Sequence, residues 1–234
     1  MLYILLFAVL TLAFCAFICL PASFLSKYKE YINVIFVVTI CASYFYMVIY
    51  TYFDSGIHDW NFQNTLPTAN VSPFMFCLSG LILFMPKRIK NNLYTLIALL
   101  SLAMLVVGLF GTLSYAEREF NFYWHVALDC TAHVLISLWG LHLVKSGQVE
   151  LTPKRAICGC SIIVCVAIIM LILNAIFKTA FFGLSVYGDH NIYNIRIFES
   201  GVVSILVYFT GLCLVLCIGY YYQKVLSIKK NHSK

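Results

Sequence analysis

The chain alternates between long apolar stretches and short polar ones. Seven apolar segments can be delimited, at about residues 2–22, 31–53, 71–86, 93–115, 122–144, 156–177 and 200–222. A helix needs roughly 20 apolar residues to cross the hydrocarbon core of a bilayer, and all but the third segment are near that length. The pattern predicts an all-α polytopic membrane protein, in which residues 1–234 form a single domain, a bundle of seven transmembrane helices.

The composition agrees with this class of protein. Hydrophobic residues make up 62% of the chain and charged residues 10%, whereas soluble domains carry about 25% charged residues. Most of the ten cysteines lie within apolar segments. We interpret these cysteines as small buried hydrophobic residues and not as a disulfide framework.

The basic residues predict the orientation of the bundle. Twelve of the fifteen Lys and Arg residues lie in the first, third and fifth connections and in the C-terminal tail. Cytoplasmic loops are enriched in Lys and Arg, so this alternation predicts an N-terminus outside and a C-terminus in the cytoplasm. It also accounts for the net charge of +6, and no nucleic-acid partner is expected. The predicted location is a bacterial inner membrane or a eukaryotic endomembrane, crossed several times.

The fifth segment carries three ionisable residues on one helical face. His125, Asp129 and His133 are four residues apart, which places them within an arc of roughly 80°. Such groups are costly at membrane depth and usually face a bundle interior or a watery cavity. They form either an interhelical hydrogen-bond cluster or a functional site. Their span of ~12 Å is too long for all three to ligate one ion, and no metal or other cofactor is expected.

A cysteine in the third segment lies at a similar predicted depth. Cys77 lies ~9 Å below the start of its segment, and Asp129 and His133 lie ~10 and ~16 Å below Phe122. Asn174 of the sixth segment approaches the same level. A histidine can activate a neighbouring thiol, and a carboxylate or amide can orient that histidine. We therefore expect Cys77 as nucleophile and His133 as base, oriented by Asp129 or Asn174.

The last outer connection combines polar and aromatic residues. Its run 187–194 is typical of an interfacial loop, which is either simply solvated or covers a bound headgroup. On the second interpretation, His190, Asn191 and Tyr193 contact the substrate, together with His125 at the rim of the cavity. Membrane lipids are then the expected partners.

These motifs resemble the integral membrane family that includes bacterial YwaF-like proteins and transmembrane protein 164. In that family a Pro-x-His-x-Cys motif opens a helix, and the matching stretch here is 73–77, with Met75 at the histidine position. His133, Asn174 and the run 191–193 match further family positions, and the resemblance covers about residues 60–200. It implies a cysteine-dependent lipid acyltransferase that takes its acyl group from a donor lipid.

Two alternatives lead to different functions. The run 115–119, followed by a histidine-bearing helix, resembles the androgen-induced lipid-ester hydrolases, which use Thr and His, with Thr39 as the counterpart here. A transporter or sensor of seven helices, with His125, Asp129 and His133 as a proton relay, is the non-enzymatic alternative. Acyl transfer on a lipid, in the outer half of the bilayer, is the leading hypothesis.

Overall fold

The computed structural model describes residues 1–53, 71–117, 124–177 and 201–228. Within these ranges the chain is helical and has no strand, which confirms the all-α prediction for this part of the molecule. The helices are α1 (Leu2–Cys19), α2 (Ala22–Lys27), α3 (Lys29–Phe53), α4 (Val71–Leu81), α5 (Lys87–Glu117), α6 (Trp124–Lys145), α7 (Pro153–Phe177) and α8 (Gly201–Ile228). A 3-10 turn, Ile82–Phe84, follows α4 directly.

Six helices, α1, α3, α5, α6, α7 and α8, are long and apolar enough to cross a membrane. The exterior of the bundle is apolar, since large side chains such as Phe45 and Phe110 are 62% and 65% exposed. The interior is mainly apolar as well, but it also contains polar side chains such as Asn33, His133 and Asn174. A molecule with this distribution is suited to contact lipid on its outside, consistent with a multi-pass integral membrane protein.

The helices differ from the apolar segments mainly at their ends. Helix α5 begins at Lys87 and α8 ends at Ile228, six residues beyond the predicted segments in each case. Apolar segments mark only the part of a helix at membrane depth, whereas the hydrogen-bonded backbone continues into polar residues. The first segment is divided, because α1 ends at Cys19 and Pro21 stands at the N-cap of α2.

Contacts between helix ends show how three of the helices are oriented relative to one another. The Lys145 ammonium, at the end of α6, donates to the carbonyl oxygens of Ile18 (2.6 Å) and Leu20 (2.8 Å) at the end of α1. Nε2 of His142, also late in α6, lies 3.3 Å from the carbonyl oxygen of Lys29, the first residue of α3. The C-terminal ends of α1 and α6 therefore lie beside the N-terminal end of α3.

The other long helices bring their basic residues to the same end. Gly159, early in α7, packs against Thr95, and Gly219, late in α8, packs against Leu99. Gly140, late in α6, lies against the same stretch of α5. We name this part of the bundle the basic end. Its basic residues are Lys27, Lys29, Lys87, Arg88, Lys90, Lys145, Lys154, Arg155 and Lys224.

A buried polar network joins three elements at the basic end. The Asn33 amide donates to Oε1 of Gln148 (2.7 Å), and the Trp139 indole donates to Oδ1 of Asn33 (2.9 Å). Gln148 reaches this position because Gly147 turns the chain after α6 with a φ of 79°, which favours glycine. The Gln148 amide also donates to the hydroxyl of Ser146 (3.1 Å). The network satisfies buried polar groups and ties α3 to α6.

Small residues allow the central helices to approach one another closely. A Cβ at Gly108 of α5 would lie 2.8 Å from the carbonyl oxygen of Cys130, and one at Gly140 of α6 would lie 2.7 Å from Cβ of Ser101. Glycine at such contacts is a common way to pack membrane helices. Helix α6 is the most buried of the six candidate spans, and its polar residues His133, Ser137 and His142 are buried.

Replacing Gly219 by Ala should destabilise the bundle, because the added Cβ would overlap the carbonyl oxygen of Leu99, a backbone atom that cannot rotate away. We expect a loss of about 1–3 kcal/mol, the usual cost of overpacking. Thermal unfolding of the purified protein in detergent measures the loss. Gly211, on the same helix, has nothing within 4 Å of such a Cβ, so Gly211→Ala is the matched control. Equal stabilities of the two variants would contradict this packing.

Candidate functional site

The candidate site is centred on His133, whose side chain is 4% exposed within α6. Its Nδ1 atom lies 2.8 Å from the backbone carbonyl oxygen of Asp129, and its Nε2 atom lies 2.8 Å from the hydroxyl oxygen of Ser72. A carbonyl oxygen can only accept, so neutral His133 carries its proton on Nδ1. Nε2 then accepts a hydrogen bond from the Ser72 hydroxyl. The hydroxyl of Ser72 is thus the donor and Nε2 of His133 the acceptor, as in a hydroxyl that faces a general base.

Asp129 supplies a second interaction from the preceding turn of the same helix. Its Oδ1 atom lies 3.6 Å from Nδ1 of His133, and its side chain is 16% exposed. This distance is too long for a hydrogen bond but short enough for charge attraction when the imidazole is protonated. The carbonyl of Asp129 therefore orients the ring, while its carboxylate lies where it can stabilise an imidazolium. The structure brings Asp129 and His133 together on one face.

Helix α4 presents Ser72 and Phe76 to His133. Phe76 lies one turn after Ser72 and meets the imidazole edge-on, with ring centroids 5.1 Å apart and an interplanar angle of 87°. Cys77 is the next residue, turned by ~100° about the helix axis. It shares a helical face with Gly80, which packs against Cys41 of α3. The hydrogen bonds described for His133 occupy both ring nitrogens, and neither involves Cys77.

The remaining predicted site residues are placed as follows. Asn174 is fully buried near the end of α7 and is not one of the partners described for the ring nitrogens of His133. His125 lies in the first turn of α6. His190, Asn191 and Tyr193 lie outside the described residues. Within the described part of the chain, no three His, Cys, Asp or Glu side chains converge as metal ligands would.

Ser72 is the site residue that sequence reasoning missed. It precedes Pro73 in the first turn of α4, and serine is common at helix starts as a capping residue, so its presence there has an ordinary explanation. A weak signal was available, since Ser72 and Phe76 share a helical face that excludes Cys77. Only the packing of α4 shows that this face is the one turned towards α6.

Comparison of the chain with protein-family models, with curated proteins and with solved structures found no match. The function of the site is therefore inferred from its geometry and from the chemistry of its residues.

The geometry predicts the tautomer of His133. In the neutral state its proton should reside on Nδ1, because the Asp129 carbonyl accepts there, and Nε2 should be unprotonated. The ¹⁵N chemical shifts of the ring in histidine-labelled protein distinguish the two tautomers. Asp129→Asn retains the backbone carbonyl and should leave the tautomer unchanged. A proton on Nε2 would instead contradict the hydrogen bond from Ser72.

Proposed function

We propose that this chain is an integral membrane enzyme that transfers acyl groups between lipids, with Ser72 as nucleophile, His133 as general base and Asp129 as the orienting residue. The observation that supports this most directly is the 2.8 Å separation of the Ser72 hydroxyl oxygen and Nε2 of His133. Nucleophile and base within hydrogen-bond reach, with the base held by a third group, are the usual signature of covalent acyl transfer.

The reaction would proceed in two steps. The Ser72 oxygen attacks the ester carbonyl carbon of the donor lipid as Nε2 of His133 takes the hydroxyl proton. The ester carbon–oxygen bond then breaks, and the departing alcohol receives that proton, which leaves an acyl-serine. In the second step His133 removes a proton from the acceptor alcohol, whose oxygen attacks the acyl-serine. The new ester leaves, and the proton returns to the Ser72 oxygen.

The surroundings of the site favour a lipid acceptor over water. His133 is buried among membrane-spanning helices, and the apolar ring of Phe76 packs against its imidazole. A site with little access to water disfavours hydrolysis of an acyl intermediate. The resemblance to the YwaF-like and transmembrane protein 164 family supports the same class of reaction, although that family uses a cysteine where we propose a serine. Hydrolysis of a lipid ester uses the same residues and is the second outcome that the assay below can detect.

The choice of Ser72 over Cys77 as nucleophile rests on the orientation of α4 about its own axis. Cys77, the nucleophile expected from its depth and from the resemblance to the family, shares the face of Gly80, which packs against α3, whereas Ser72 lies on the face turned towards His133. A nucleophile has to donate its proton to the base directly or through one water molecule. The geometry of Ser72 meets this requirement with a direct hydrogen bond, so we assign the nucleophile to Ser72 and treat Cys77 as the competing candidate.

Activity of single variants tests this assignment. The purified protein is reconstituted with a phospholipid that carries a fluorescent acyl ester and with an unlabelled acceptor lipid, and both transferred and released acyl chains are measured. Ser72→Ala and His133→Ala should each lower turnover about 10²–10⁴-fold, the usual contribution of such groups. Cys77→Ala should retain activity. Ser79→Ala is a matched serine control on the same helix, since the Ser79 hydroxyl donates to the Met75 carbonyl (2.7 Å).

The opposite pattern of activities would assign the nucleophile to Cys77. If Cys77→Ala is inactive and Ser72→Ala is not, the thiol carries the acyl group. If wild-type protein shows neither turnover nor an acyl adduct on Ser72, the enzymatic proposal fails. Thermal unfolding of each variant separates lost chemistry from a lost fold.

We further propose seven membrane crossings, with α4 and the residues around it as the third. Helix α4 runs antiparallel to α3, because Gly80 lies against Cys41 and the ring of Phe76 meets that of Tyr44 at 6.0 Å. The 3-10 turn after α4 reaches the basic end, where the Lys90 ammonium donates to the carbonyl oxygen of a residue in that turn (3.1 Å). The gathering of basic residues at one end supports a cytoplasmic location for that end.

Epitope tags at the two termini test this topology. An N-terminal tag should bind antibody in intact cells or intact organelles, and a C-terminal tag should bind only after the membrane is permeabilised. The reason is that an odd number of crossings places the termini on opposite sides. Tags that become accessible together would indicate an even number of crossings and contradict the proposal.

A further inference from the structure

An apolar groove runs between α7 and α8 at the basic end. It has a volume of about 430 Å³, within the range of small-molecule sites. Both of its walls are formed mainly by apolar side chains and thiols. They include Pro153, Ile157, Cys160, Val164, Cys217 and Tyr221.

The groove exists because both of its walls pack on a third helix. Gly159 holds α7 against Thr95, and Gly219 holds α8 against Leu99, so α7 and α8 are each fixed to α5. Ala156 and Leu216, which also line the groove, are buried and form its floor. The opening between the two walls therefore faces outwards, towards the membrane.

The length of the groove matches one acyl chain. From Pro153 to Val164 the wall extends over about 16 Å of helix axis. One leaflet contributes about 15 Å to the hydrocarbon core of a bilayer. A chain of a lipid in the leaflet at the basic end could lie along the groove without leaving its own leaflet.

The mouth of the groove is positively charged. Lys154 and Arg155 are exposed next to the lining residue Pro153, and the Lys224 ammonium lies 5.8 Å from the ring centroid of Tyr220. Glu150 pairs with Arg155 at 3.7 Å and offsets one of these charges. The mouth therefore carries a net charge of +2, and basic residues at this level of a membrane attract anionic headgroups.

We propose that the groove is a binding site for an anionic phospholipid, with one acyl chain between α7 and α8 and the phosphate at Lys154, Arg155 and Lys224. Charge complementarity at the mouth selects the headgroup, and the apolar walls hold the chain. The site is remote from Ser72 and His133, which lie on α4 and α6. This proposal is independent of the proposed acyl-transfer activity.

Native mass spectrometry of the detergent-solubilised protein tests the proposal. Dioleoyl phosphatidylglycerol should bind at least about tenfold more tightly than dioleoyl phosphatidylcholine, because only the first has a net negative headgroup. The triple variant Lys154→Gln, Arg155→Gln, Lys224→Gln should lose most of this difference. Cys160→Trp, which fills the groove, should weaken binding of both lipids.

Two variants serve as controls. Lys27→Gln, Lys87→Gln, Arg88→Gln removes the same net charge at the basic end from helices that do not line the groove, and it should retain the preference. Cys165→Trp places the same bulk on an exposed position of α7 outside the groove and should bind as wild type does. Unfolding temperatures of all variants show whether each remains folded.

Three results would overturn the proposal. Equal binding of the two lipids to wild type would remove the headgroup preference. Unaltered binding by a folded Cys160→Trp variant would show that the chain lies elsewhere. Equally tight binding of glycerol phosphate alone would show that the basic residues recognise a free phosphate and that the groove is not needed.

Discussion

The close approach of α5 and α6 is the contact on which the rest of the structure depends. At Gly108 there is no room for a side chain, since a Cβ there would lie 2.8 Å from the backbone carbonyl oxygen of Cys130, and Cβ of His133 would be 3.1 Å away. The imidazole of His133 reaches α4, where its Nε2 atom meets the hydroxyl of Ser72. The position of Gly140 against Ser101 fixes the other end of the same interface. The tight packing of these two helices thus fixes the position of the α6 backbone that carries His133.

Helix α6 carries two polar clusters with different chemistry. At the basic end, Asn33, Trp139 and Gln148 exchange hydrogen bonds among amides and an indole, none of which is a nucleophile. Such bonds contribute on the order of 1 kcal/mol each to membrane helix association. One to two turns towards the other end of the helix, His133 meets a hydroxyl. The first cluster ties α6 to α3, whereas the Ser72–His133 hydrogen bond joins α6 to α4.

More of the fold than of the candidate site could be predicted from the sequence. The long helices follow from hydropathy, and the shared face of Asp129 and His133 follows from their spacing, because both depend only on neighbouring residues. The partner of His133 depends on which face of α4 is turned towards α6. Neighbouring residues of a helix point in directions about 100° apart, so a small rotation of α4 would present a different side chain. The side chains of Ser72 and Cys77 can both act as nucleophiles when a base activates them. The sequence does not indicate which of these two side chains faces α6. The prediction therefore rested on the chemistry of the residues, which favours a thiol as nucleophile.

The short length of α4 affects the electrostatic environment of the proposed reaction. From Val71 to Phe84 the helix and its 3-10 turn span about 21 Å, less than the roughly 30 Å of the hydrocarbon core. If the turn lies at the interface, the first turn of α4 lies within the membrane. The positive end of a helix dipole acts mainly within one turn of the N-terminus and is screened least where water is scarce. An ester attacked by Ser72 would develop its negative charge within that range, so the helix start that carries the proposed nucleophile would also stabilise the transition state.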